Sequence, residues 1–153
     1  MPSFNKNIDQ VGVGFASFFT APPPDVIRFT VGQPDFTTPK KIRNRAIRSL
    51  ENGETFYTRQ AGSESLCEAV ANYLKNNFKI NTCMERVLIA PGCKQTILYA
   101  LMGLGNPGDE VMLLSPSWAT YDAQITLLGM TPVHVPVRRD NYHPDFKSME
   151  EAI

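Results

Sequence analysis

Apolar residues in the first half of the chain recur three or four positions apart, whereas from residue 86 onward short apolar runs alternate with helical stretches. Ile8, Val11, Phe15 and Phe18 keep helical spacing, but Gly12 and Gly14 weaken any isolated helix. Residues 1–25 therefore read as an arm that is stable only against something larger, ended in an extended form by Pro22-Pro23-Pro24. Val26–Val31 predicts a short strand, halted by Gly32-Gln33-Pro34-Asp35. A helix is expected from about Pro39, with Ile42, Ala46 and Leu50 on one face and a stop at Glu51-Asn52-Gly53. Phe56-Tyr57-Thr58 is a short extended piece and Ala61-Gly62 a turn. A second helix starts near Ser63 or Ser65, the latter in a capping box with Glu68, and its core face is expected at Leu66, Val70, Tyr73 or Leu74, and Phe78.

The later pattern predicts a buried strand over Arg86–Ala90 and a helix over Thr96–Leu104 with Ile97, Leu101 and Leu104 inward. Gly105-Asn106-Pro107-Gly108-Asp109 is a dense turn signal. A strand over Glu110–Ser115, a helix from about Ala119 to Leu128 and a strand over Thr131–Val137 follow, and a last helix opens at Phe146 with Asp145 as its cap. Strands alternating with helices predict an α/β fold with a mainly parallel sheet. Such a sheet needs both faces covered, and three strands make a thin core, so the chain reads as interrupted.

A length of 153 residues supports one domain with a real core. Fifteen basic and fifteen acidic residues cancel, so no global field favours nucleic acid or an anionic membrane. The densest basic cluster, Lys40–Arg45, fits the wet face of an amphipathic helix. Cys67, Cys83 and Cys93 lack C-x-x-C spacing and only two histidines accompany them, which argues against a disulfide framework or a structural zinc site. The apolar stretch Val11–Phe19 leads into prolines rather than a small-residue cleavage site, and no run approaches the ~20 residues of a membrane span. The expected compartment is the cytoplasm.

The candidate chemistry lies at two strand–helix turns. Pro91-Gly92-Cys93-Lys94-Gln95-Thr96 sits where a strand's carboxyl end meets a helix N-terminus, the place where α/β folds collect ligands. Backbone N–H groups and the helix dipole suit a phosphate there, Gly92 permits close approach, and Lys94 with Gln95 or Thr96 adds contacts. Cys93 is read as a small turn residue rather than a nucleophile, having no histidine nearby in sequence. Trp118, in Ser115-Pro116-Ser117-Trp118, occupies the equivalent place after the next strand. Its ring is either a core residue or a stacking surface for a flat heteroaromatic ligand.

Several motifs together resemble the fold-type I pyridoxal-phosphate aminotransferases of the aspartate aminotransferase class. They are Gly32-Gln-Pro-Asp-Phe36 with Thr38-Pro39, Tyr57-Thr-Arg-Gln-Ala-Gly62 with Leu66 and Ala69-Val70, Ala90-Pro-Gly-Cys-Lys-Gln95, Asn106-Pro-Gly-Asp-Glu-Val111 and Pro116-Ser-Trp-Ala-Thr-Tyr121. The match runs in order from about residue 26 to the end. It implies the N-terminal part of a three-layer α/β/α fold: an arm over 1–25, a small-domain element with connecting helices over 26–80, and the first part of the cofactor-binding domain over 81–153.

The resemblance also implies roles. Gly92, Cys93 and Lys94 would hold the phosphate of pyridoxal 5'-phosphate, and Trp118 would stack on its ring. Tyr57 would reach the phosphate in a neighbouring subunit, making the protein a homodimer, and Gly32 would line the substrate carboxylate site. Cys93 departs from the Ala or Ser common at its position. The substrates implied are an amino acid and a 2-oxo acid. The family's cofactor-tethering lysine and carboxylate-binding arginine match no position here, so these 153 residues alone are expected not to transaminate. Other members of the same fold (a carbon–sulfur lyase or an aminocyclopropane-carboxylate synthase) share these motifs, and a non-catalytic binding module is a further alternative.

Overall fold

The computed structural model describes residues 5–11, 25–27, 29 and 32–153. The expected strand over Val26–Val31 falls largely outside these residues, as do Phe15 and Phe18 of the arm. The chain forms two compact units, one containing Val31–Gly92 and the other Cys93–Ile153 with the described residues up to position 29.

In the first of these, helix α2 spans Lys40–Glu51. Pro39 is its cap, and Asn52 with Gly53 at φ 72° ends it. None of its residues is buried, so Ile42, Ile47 and Leu50 share exposure with the basic face. Helix α3 spans Glu64–Phe78 and begins one residue ahead of the expected capping box. Ser63 is the cap, in extended conformation, and its carbonyl accepts from the Leu66 and Cys67 amides at 3.2 and 3.0 Å. Ser65 therefore lies inside the first turn.

The core face of α3 overlaps the expected one in part, Val70 and Leu74 being half-buried. Cys67 and Ala71 are its buried residues, with Val70 packed beside them against Val87, Met84 and Ile89. Leu66, Tyr73 and Phe78 are exposed, the last two meeting edge to face at 5.7 Å. The small side chains let the helix backbone approach closely, and the Cys67 thiol donates to the Ala61 carbonyl at 3.4 Å. Larger side chains at this face would hold the two segments apart.

Arg86–Ala90 is not a strand. Met84–Arg86 is a single 3₁₀ turn, and the residues after it run without a ladder. Val87 is buried and Ile89 donates its N–H to the Ala61 carbonyl at 2.9 Å, but Leu88 is exposed. An apolar run becomes a strand only when another strand supplies its hydrogen bonds, and none is paired to it among the described residues.

The second unit carries the parallel sheet. Strands β1 (Glu110–Ser115) and β2 (Thr131–Pro136) pair in register from Glu110 opposite Thr131 to Ser115 opposite Pro136. Helix α5 (Thr120–Leu127) makes the crossover and packs on β2, as does α6 (Phe146–Glu151). Ile125, Met130 and Val135 form the buried centre. Asp122 on α5 and His134 on β2 meet at 2.6 Å. The sheet of the described residues thus has two strands rather than the expected three.

Helix α4 (Cys93–Leu104) packs against α5. Ile97 and Leu101 are half-buried, but Leu104 is 85% exposed, contrary to expectation. Gly105 takes the inward place after it, so close to Met130 that any side chain there would collide with the sulfur. The short helix α1 (Lys6–Gln10) lies on α5, where the Asn7 amide donates to the Leu127 carbonyl at 3.2 Å.

Candidate functional site

The unit with the sheet brings together three of the residues singled out in the sequence. Cys93 and Lys94 form the first turn of α4, and Trp118 lies in the loop between the carboxyl end of β1 and α5. The Lys94 Nζ stands 5.7 Å from the centre of the Trp118 ring, within the range of a cation–π contact. Trp118 is 42% exposed, so its ring is a partly open surface rather than a core filler. Cys93 is exposed and carries a free thiol.

Gly92 precedes this turn at φ 84°, a conformation natural to glycine. A Cβ built there meets no heavy atom within 4 Å among the described residues. The Gly92 N–H donates to the Ala90 carbonyl at 2.8 Å. The Gly92 N–H is thus engaged within its own turn. The N–H groups of a helix's first turn lie outside its own hydrogen-bond ladder and carry the positive end of its dipole.

These residues fit a planar phosphorylated cofactor such as pyridoxal phosphate. A twelve-residue helix begins directly after Gly92, where a Cβ would meet no heavy atom of the described residues within 4 Å. An aromatic ring of the right exposure stands beside it. Tyr57 and Gly32 belong to the other unit, where both are exposed and outside any helix or strand. Tyr57 follows Thr55 and Phe56, which are exposed as well.

One residue the sequence did not single out is Gln124. It is the buried polar side chain of the described residues, 9% exposed, and its Nε2 donates to the Lys94 carbonyl at 2.8 Å. Its sequence signal was weak, because a lone glutamine in a helix ordinarily faces water. A cleft of about 550 Å³ also opens at the carboxyl ends of both strands, lined by Ser115, Pro116, Pro136, Val137, Arg139 and Tyr142. No helix of the described residues is long and apolar enough to cross a membrane.

A parallel strand pair, with an aromatic loop after β1 and the first turn of α4 beside that loop, is an α/β arrangement. Comparison with known proteins narrows this. The sequence profile of aminotransferase class I and II matches residues 24–153, and the chain belongs to that family. The aspartate aminotransferase of Musicola paradisiaca is 38% identical over 111 residues, which are 72% of this chain and 28% of that protein. The aspartate aminotransferase of Thermotoga maritima is 37% identical over 127 residues, covering 82% of this chain and 34% of that protein. Among solved structures, aspartate aminotransferase from Thermus thermophilus with maleate aligns at a TM-score of 0.78 and 32% identity, over 81% of this chain and 33% of that one. The architecture is that of fold-type I aminotransferases, of which this chain spans about a third.

Proposed function

We propose that these residues form the N-terminal portion of a pyridoxal-phosphate-dependent aminotransferase that moves an amino group from an amino acid to a 2-oxo acid. The observation that carries the reading is the half-exposed Trp118 ring beside the first turn of α4, 5.7 Å from Lys94 Nζ. In this reading the Cys93 and Lys94 backbone binds the cofactor phosphate, Gly92 leaves space for it, and Trp118 orients the ring by stacking. Pyridoxal phosphate, when bound, supplies the electron sink that stabilises charge at the substrate α-carbon. Gly32 lines the substrate carboxylate site and Tyr57 donates to the phosphate of a neighbouring subunit, so the working protein is a homodimer in the cytoplasm. The division into an arm over 1–25, a small-domain element over 26–80 and the start of the cofactor domain over 81–153 is part of the same proposal. The relatives' names make aspartate the first donor to test.

The test uses the complete protein that carries these residues. Trp118→Ala is expected to weaken pyridoxal phosphate binding about tenfold or more, a loss of roughly 1.4 kcal/mol of stacking. Its Trp118 fluorescence counterpart is quenching on cofactor addition in the unsubstituted protein. A variant that loses folding but binds cofactor normally when folded would show that Trp118 only packs. For the shared site, mixing Tyr57→Phe subunits with Trp118→Ala subunits should restore one good site per hybrid dimer. Hybrids no better than either parent would place Tyr57 in its own subunit's site or in none.

A further inference from the structure

We propose that Gln124 is a positioning residue for the phosphate end of the cofactor site, acting through the Lys94 carbonyl; this rests on the function proposed above. Gln124 lies on α5, thirty residues from Lys94 in sequence, and joins the two helices by its 2.8 Å bond to the Lys94 oxygen. A helical carbonyl keeps a second lone pair after its ladder bond, so the side-chain amide can bind it without disrupting α4. The bond fixes the orientation of the peptide that joins Lys94 to Gln95, in the turn where anion donors are needed. It also couples that turn to the helix that starts two residues after Trp118.

Packing alone does not account for this glutamine. Its Oε1 is buried with no hydrogen-bond partner among the described residues, as is Thr120 Oγ1 one turn earlier on the same helix. A buried unsatisfied oxygen costs about 1–3 kcal/mol, which methionine or leucine would avoid at similar volume. The amide is retained at a cost in stability, and its one bond goes to the first turn of α4. The Lys94 ammonium then stands over Trp118 at 5.7 Å, so a turn held in place also holds its side chain beside the ring.

The experiment compares the affinity of the complete protein for pyridoxal phosphate and for pyridoxal, which lacks the phosphate. Gln124→Met removes the donor with little change of shape. It is expected to lower pyridoxal phosphate affinity roughly fivefold to tenfold, the worth of one hydrogen bond, and to leave pyridoxal affinity unchanged. The melting temperature without cofactor should stay level or rise. Gln124→Leu, which also lacks the donor and adds no charge, should show the same selective loss, and serves if the methionine variant does not fold. Equal losses for both probes, or no loss for either, would overturn the positioning role. An unsubstituted protein that binds the two probes equally would overturn the cofactor site itself, and this inference with it.

Discussion

Two helices in this chain begin just after a glycine held at positive φ, and the two glycines serve different ends. Gly62, at φ 108°, precedes α3, and a Cβ there would lie 2.7 Å from Ile89 Cγ1 and 3.6 Å from the Cys67 sulfur. Gly92, at φ 84°, precedes α4, and a Cβ there would touch nothing within 4 Å among the described residues. Both positions need glycine for the backbone. At Gly62 the space a side chain would take is already filled by the core of the same unit. At Gly92 no heavy atom of the described residues takes that space, and α4 begins at the next residue. A glycine before a helix is thus a packing device in one case and, in our reading, a ligand device in the other.

The comparison can be broken by substitution in the complete protein. Gly62→Ala combines backbone strain with a collision and should cost about 2–4 kcal/mol in denaturant unfolding, with cofactor affinity of the folded molecules unchanged. Ala71→Leu tests the same packed side of α3 and should cost about 1–3 kcal/mol, against less than about 1 kcal/mol for Leu66→Ala. If Leu66→Ala is the costlier of the two, the core face is the one the sequence pattern pointed to. Gly92→Ala should cost only the strain, about 1–2 kcal/mol, and Gly92→Val should also weaken pyridoxal phosphate binding roughly tenfold. Equal stability losses at the two glycines, with cofactor affinity untouched, would erase the distinction.

The smallest effect concerns Glu85, whose carboxyl is held below its ordinary range chiefly by a hydrogen bond from Cys83. A depressed carboxylate stabilises the fold above the ordinary carboxylate range, and that contribution is lost as pH falls through the lowered value. Because Glu85 is fully exposed, the stability effect is slight. Cys83→Ala should move the Glu85 titration upward in an NMR pH series. An unmoved titration would show that the thiol does not set it.

The periodic pattern located the elements that carry their own local signals. The turn Gly105–Asp109, the strand Glu110–Ser115, the α5 region and the strand from Thr131 all stand where the sequence put them, because turn chemistry and short β-branched or apolar runs are read by neighbours in the chain. Asp145 likewise stands as the cap of α6, and its carboxylate accepts from the Ser148 hydroxyl at 3.0 Å. The turns at Gly92–Lys94 and Trp118 stand directly before or at the start of α4 and α5, as the pattern placed them.

What needed tertiary structure was every property set by a partner distant in sequence. Arg86–Ala90 has a strand's composition but no ladder among the described residues, and composition cannot supply one. The face of α3 turned inward was decided by Val87 and Ile89, which reward the small Cys67 and Ala71 over the larger Leu66 and Phe78. Leu104 was displaced from the core by Gly105 meeting Met130. Gln124 shows the limit most plainly. Periodicity assigns a glutamine to water, and only the fold brings it to a carbonyl thirty residues away.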